Sequence, residues 1–294
     1  MNERTASDHR RAHGRETFGE RLHVALASRG PLCVGIDAHP ALLNRWGLPD
    51  TVEGLKRFCA TTVDALADRI AVLKPQSAFF ERFGSAGIAV LESTIRQSRN
   101  AGALVILDAK RGDIGSTAQA YAQAYLNPRS PLFVDALTVS PYLGFGSLDP
   151  LLDEAGAHRG GIFVLALTSN PEGAEVQHSR RSDGRTVAQY MIDQAARHNA
   201  DATPLGSVGV VVGATVTGLR PDLTSLNGPV LVPGLGTQGG APDDLRALLG
   251  RLSGAVLPSY SREVLGHGPS VTGLRDAANR ALDACRKVLA SSDL

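Results

Sequence analysis

The chain carries almost no net charge: 30 Lys and Arg against 29 Asp and Glu leave a formal +1 over 294 residues. That balance excludes the basic surplus of a nucleic-acid-binding protein. Cysteine is scarce. Cys33, Cys59 and Cys285 are odd in number, far apart and set in apolar contexts, so neither a disulfide framework nor a zinc site is indicated and reduced thiols are expected. No apolar run approaches the length of a membrane span. The first sixteen residues, MNERTASDHRRAHGRE, are charged and nearly devoid of large apolar side chains, unlike a signal peptide. These absences predict a cytoplasmic protein with no nucleic-acid or membrane partner and a flexible tail over residues 1–16. What is present is 43% hydrophobic residues, enough to bury one large core over residues 17–294.

Short apolar or β-branched runs recur at 32–37, 71–76, 104–110, 136–142, 161–169, 207–215, 229–236 and 255–260. Segments with helical spacing lie between them, at 51–70, 85–102 and 184–200, and another follows the last run at 271–292. Alternating strands and helices imply parallel strands with crossover helices. Eight such units fit a (β/α)8 TIM barrel, with a doubly wound open sheet as the alternative because a count of strands does not prove closure. An extra N-terminal helix is expected over Thr17–Ser28, opened by the capping box Thr17-Phe18-Gly19-Glu20 and placed to cover the barrel floor.

Catalytic groups of such a barrel come from the carboxyl ends of its strands. There the first strand ends in Asp37, the second carries Lys74, and the third ends in LVILDAK, giving Asp108 and Lys110, with Asp113 on the following loop. Strand side chains alternate with period two, so Asp108 and Lys110 are expected on one face with Ala109 opposite. Acids and amines gathered where buried strands emerge cost desolvation energy, which is tolerated most often where the charges do chemistry. The alternative is a set of ordinary ion pairs at a barrel rim.

After the seventh strand, VLVPGLGTQGG matches G-x-G-x-x-G at Gly234, Gly236 and Gly239. A dinucleotide site fits poorly: the loop does not follow the first strand, a second nucleotide-binding half is missing, and Asp243 and Asp244 come too early. The loops after strands seven and eight are instead the usual phosphate site of this barrel, where glycines let amides approach an anion. Ser261 and Arg262 open the eighth loop, and the Arg262 guanidinium can fork onto a phosphate. A plain tight turn is the alternative for the glycines. The fifth loop, 168–186, is long and polar, as lids and binding loops are. Thr168, Ser169 and Asn170 at its base are suited to reading the edge of a polar heterocycle, although Asn170-Pro171 also makes an ordinary turn start.

The segment DAKRGDIGST resembles the D-x-K-x-x-D signature of the orotidine 5'-phosphate decarboxylase family. Asp37, Lys74, TVSPYLGFGSLDP, TSNPEGAE, PGLGTQGG and the final Ser-Arg fall in that family's order over roughly residues 30–265, with the loop sizes of its longer bacterial branch, type 2. The resemblance implies conversion of orotidine 5'-monophosphate to uridine 5'-monophosphate and carbon dioxide, the last step of de novo UMP biosynthesis, with no cofactor and no metal. It implies Lys110 as proton donor to C6 of the pyrimidine, Asp108 against the substrate carboxylate, and Lys74 and Asp113 completing the charged network. Asp37 would bind the ribose, Ser169 the pyrimidine, and Gln238 and Arg262 the phosphate, with Asn170, Gly239 and Ser261 expected among the substrate-binding residues beside them. A homodimer is implied too, with Asp113 and Thr117 reaching into the neighbouring subunit's site. Two rivals stay open: a magnesium-dependent phosphosugar enzyme that shares D-x-K-x-x-D, and a catalytically silent barrel.

Overall fold

A computed structural model describes residues 16–216, 218–249 and 252–290. Residues 1–15, most of the expected flexible tail, lie outside the described residues. The chain opens with α1 (Phe18–Arg29), whose capping box forms as expected: the Thr17 hydroxyl accepts from the Glu20 amide at 3.2 Å, and the Glu20 carboxylate accepts from the Thr17 amide at 2.7 Å. Eight parallel strands follow: β1 (Cys33–Ile36), β2 (Val72–Pro75), β3 (Leu104–Arg111), β4 (Ala136–Val139), β5 (Gly161–Leu167), β6 (Val208–Val212), β7 (Leu223–Pro233) and β8 (Leu252–Tyr260). They pair in chain order, and β8 returns to β1 through Cys33 opposite Ser259 and Val34 opposite Tyr260. The sheet is a closed barrel, which rules out the open doubly wound alternative.

Two apolar clusters hold the barrel. The larger packs the outer faces of the strands against the helices, among them α2 (Pro40–Arg45), α3 (Val52–Leu66), α4 (Ala78–Glu81), α5 (Gly84–Asn100), α6 (Gly115–Leu126) and α7 (Asp149–His158). After β5 come the short α8 (Gly173–Gln177) and α9 (Val187–His198). The chain ends in α10 (Asp244–Leu249), α11 (Arg262–Leu265) and α12 (Val271–Ala290). The second cluster takes at least one side chain from every strand (Cys33, Val72, Ile106, Ala136, Phe163, Val211, Leu231 and Leu257) and so fills the barrel lumen. Phe18 and Leu22 of α1 join it, which makes α1 the floor. Phe18 meets Phe163 edge to face with ring centroids 6.0 Å apart. Gly161 leaves room for this contact, because a Cβ there would stand 2.2 Å from the Phe18 ring.

Two departures from regularity matter. β7 and β8 begin earlier than the apolar runs, at Leu223 and Leu252, which pair with each other. Exposed Thr224 and Ser225 dilute the apolar signal of that extension. More important for the site, β3 changes register against β4 between Leu107 and Arg111, and Lys110 sits at φ 48°. Regular alternation therefore stops just where the charged residues begin.

Candidate active site

At the carboxyl end of the barrel a cavity of about 300 Å³ is walled by Leu165, Val211 and Leu231 from below and by polar side chains above. Lys74, only 4% exposed, sends its ammonium to Asp108 Oδ2 at 3.1 Å. Lys110 reaches Asp108 Oδ1 at 2.6 Å, and the Thr138 hydroxyl donates to the same oxygen at 2.9 Å. One buried carboxylate thus stands between two ammonium ions. Burial alone would raise the Asp108 pKa; Lys74, Lys110 and the hydrogen bonds from Lys110 and Thr138 outweigh it and hold the acid at about 2. Burial would likewise lower the Lys74 pKa, and Asp108 with Asp37 reverses that and keeps the amine protonated above its ordinary range. The expected meeting of Asp108 and Lys110 occurs, but through a distorted strand end.

Thr138 explains how that distortion is held. Its hydroxyl oxygen accepts from the amides of both Ala109, at 3.1 Å, and Lys110, at 3.0 Å. The amides that an ordinary ladder would have used are thereby satisfied, and the left-handed backbone of Lys110 is pinned from β4. The next residue, Arg111, bonds the Tyr125 hydroxyl at 3.1 Å and the Glu81 carboxylate, which in turn accepts from the Ser77 hydroxyl at 2.6 Å. Thr138 and this brace were not predicted as site residues. Their one signal in the sequence is a polar side chain in the otherwise apolar run ALTV.

The remaining predicted residues divide. Asp37, Ser169, Asn170, Gln238 and Ser261 line the same cavity, joined by Gln76 and Ser259, which were not predicted. Asp37 Oδ1 and Ser261 Oγ are buried without a hydrogen-bond partner among the described residues, so a donor and an acceptor are owed to a ligand there. The two lie side by side because β1 carries Gly35: a Cβ at that position would be 3.1 Å from both Asp37 Oδ1 and Ser261 Cβ. Across the cavity, Gln177 of α8 accepts from the Thr168 amide and donates to its hydroxyl, each at 2.8 Å, which folds the fifth loop back over Ser169 and Asn170.

Four predicted residues are placed elsewhere. The amides of Gly236, Gly239 and Gly240 are spent on carbonyls inside their own loop, so Gly239 shapes the turn and offers no N–H in this conformation. Arg262 lines an adjoining cavity outside the first. Asp113, half-buried, accepts from the neighbouring Ile114 amide at 2.8 Å, and Thr117 is exposed on the first turn of α6. Neither lines this chain's own cavity. The cysteines Cys33, Cys59 and Cys285 are buried free thiols, and burial pushes Cys33 and Cys59 up to about 12, so both stay neutral packing groups.

A family profile described as "Orotidine 5'-phosphate decarboxylase / HUMPS family" matches residues 30–277. The chain belongs to this family. An orotidine 5'-phosphate decarboxylase of Salinispora arenicola is 65% identical over 277 residues, covering 94% of this chain and 100% of its own length. One of Streptomyces coelicolor is 58% identical with the same coverage. A Streptomyces avermitilis crystal structure assigned as an orotidine 5'-phosphate decarboxylase superposes with a TM-score of 0.91 at 58% identity, over 94% of this chain and 96% of that one. Among the described residues no helix is long and apolar enough to cross a membrane.

Proposed function

We propose that the protein decarboxylates orotidine 5'-monophosphate to uridine 5'-monophosphate, as a cytoplasmic carboxy-lyase of de novo pyrimidine biosynthesis. The observation that carries this reading is the Lys74, Asp108, Lys110 chain, two ammonium ions on one buried carboxylate at 3.1 and 2.6 Å, set over an apolar cavity floor. Loss of carbon dioxide from C6 leaves a carbanion in the ring plane, with no electron sink in the ring. A fixed positive charge beside C6 stabilises that developing charge and needs no rearrangement at the moment of reaction. Lys110 supplies the charge and then donates its proton to C6. Asp108, held ionised between its partners, stands against the substrate carboxylate, and their repulsion is relieved as carbon dioxide leaves. Lys74 keeps Asp108 ionised and in place.

Around this centre, the unpartnered Asp37 Oδ1 accepts from a ribose hydroxyl. Ser169 and Asn170 face the pyrimidine, and Gln238, Ser261 and Arg262 face the phosphate. Asp113 and Thr117 act in the site of a second subunit. Ile114, Tyr142 and Leu143, exposed by 62%, 77% and 54% on the loops after β3 and β4, supply apolar surface for such an interface.

The test is to incubate the purified protein with orotidine 5'-monophosphate and a metal chelator and to follow loss of the orotate ultraviolet band. Chelator-insensitive conversion to uridine 5'-monophosphate is expected. No conversion, with turnover of a keto-sugar phosphate only after magnesium is restored, would move the protein to the phosphosugar branch.

A further inference from the structure

The cavity that receives Arg262 holds a second cation. It encloses about 340 Å³ between His39, Ala41, Leu42, Arg45, Thr237 and Arg262. It adjoins the first cavity through chain neighbours: Gln238 and Ser261 line the first, and Thr237 and Arg262 line the second. The two cavities therefore abut at the β7 and β8 loops. Arg45 closes α2, and its guanidinium lies against Gly266, the residue that ends the short helix begun by Arg262; a Cβ on Gly266 would be 3.1 Å from Arg45 Nη1. Neither guanidinium makes a hydrogen bond or ion pair with a described residue, and no carboxylate lines the cavity. A structural role at the end of α2 would have Arg45 bonded to that helix's last carbonyls, and it is not. Two uncompensated guanidinium groups facing one partly apolar cavity are a preorganised anion site.

We propose that Arg45 is a second phosphate-binding residue, which with Arg262 holds the substrate's dianion and sets the preference for a phosphorylated nucleotide over the nucleoside. This rests on the function proposed above, because it is that substrate's phosphate that reaches the β7 and β8 loops. A guanidinium bonded to a dianion is charge-assisted, so its loss should be felt as roughly a tenfold to hundredfold change in binding. The experiment compares wild type, Arg45→Ala and Arg45→Lys in kinetics with orotidine 5'-monophosphate and in calorimetric binding of uridine 5'-monophosphate and uridine. For Arg45→Ala we expect KM and the uridine 5'-monophosphate dissociation constant to rise at least roughly tenfold, kcat to change far less, and uridine binding to stay as in wild type. Arg45→Lys keeps the charge without the fork and should recover part of the loss. An unchanged KM and nucleotide affinity in Arg45→Ala overturns the assignment, as does an equal loss for uridine. A wild-type protein that fails to turn over orotidine 5'-monophosphate is a failure of the proposed function, read before any variant is compared.

Discussion

Asp108 concentrates the electrostatic problem of the site in one side chain. A carboxylate this buried is stable as an anion because Lys74, Lys110 and Thr138 flank it, and the buried Lys74 depends on it in turn. Removing the charge by Asp108→Asn strands the buried Lys74 ammonium. Breaking a buried pair by deleting one partner costs about 3–5 kcal/mol, and part of that is recovered here because Asp37 also faces Lys74. The expected loss is about 3 kcal/mol in urea unfolding at neutral pH. Its pH dependence follows from the acid's depressed pKa. With a folded pKa of about 2 and an unfolded value near ~3.9, the stabilising term is complete above the unfolded value and fades as the pH falls toward the folded one. The stability gap between wild type and Asp108→Asn should therefore narrow between about pH 4 and 2.5. A gap of constant size across that range would mean that Asp108 is not held ionised by its neighbours.

At the scale of elements, the floor and the mouth of the barrel are built by separate contacts, which a substitution at one end can expose. Gly161→Ala drives a methyl into the Phe18 ring and must lift α1 from the lumen. We expect a destabilisation of about 1–3 kcal/mol with kcat/KM within about twofold of wild type, since the charged network stands at the other end of the strands. Adding Phe18→Ala makes room for the methyl, so the double variant should be more stable than the two single losses summed. Strict additivity in that cycle would show that the two side chains do not meet. Much of this architecture is legible in the sequence. The apolar runs mark all eight strands, and Thr17 with Glu20 marks α1. What escapes is whatever depends on another element. Periodicity treats Asp108 and Lys110 as members of a regular strand, whereas Lys110 has a left-handed backbone held by Thr138 of β4. The G-x-G-x-x-G spacing suggests amides aimed at an anion, whereas three of them close the loop on itself. Arg45 carries no motif at all, and only the packing of α2 beside α11 brings it to Arg262.

At the scale of the whole molecule, the proposed function gives a second subunit a part in each site. Asp113 and Thr117 belong to the same motif as Lys110, yet neither lines the cavity that Lys110 enters. Ile114, next to Asp113 in the chain, and Tyr142 and Leu143 on the loop after β4 are exposed large apolar side chains, and the two loops meet where a Cβ on Gly112 would stand 2.4 Å from the Ser140 carbonyl oxygen. The two-fold dimer proposed through this patch would bring Asp113 and Thr117 of each subunit to the other's cavity, since a two-fold interface buries the same patch on both sides. Complementation distinguishes this arrangement from sites made within one chain. Lys110→Ala and Asp113→Ala should each be nearly inactive alone. When they are unfolded together and refolded as an equal mixture, half the dimers are hybrids, and each hybrid has one site lacking both residues and one with neither change. About a quarter of wild-type activity per site is then expected. If each site used only its own chain, every site in the mixture would carry one substitution and no activity would return. Tyr142→Asp, which desolvates a carboxylate in the same patch, should shift the protein toward monomer in sedimentation and lower activity in proportion to dimer lost. A Tyr142→Asp protein that stays dimeric and fully active would remove this face from the interface and leave Asp113 without a route into any site.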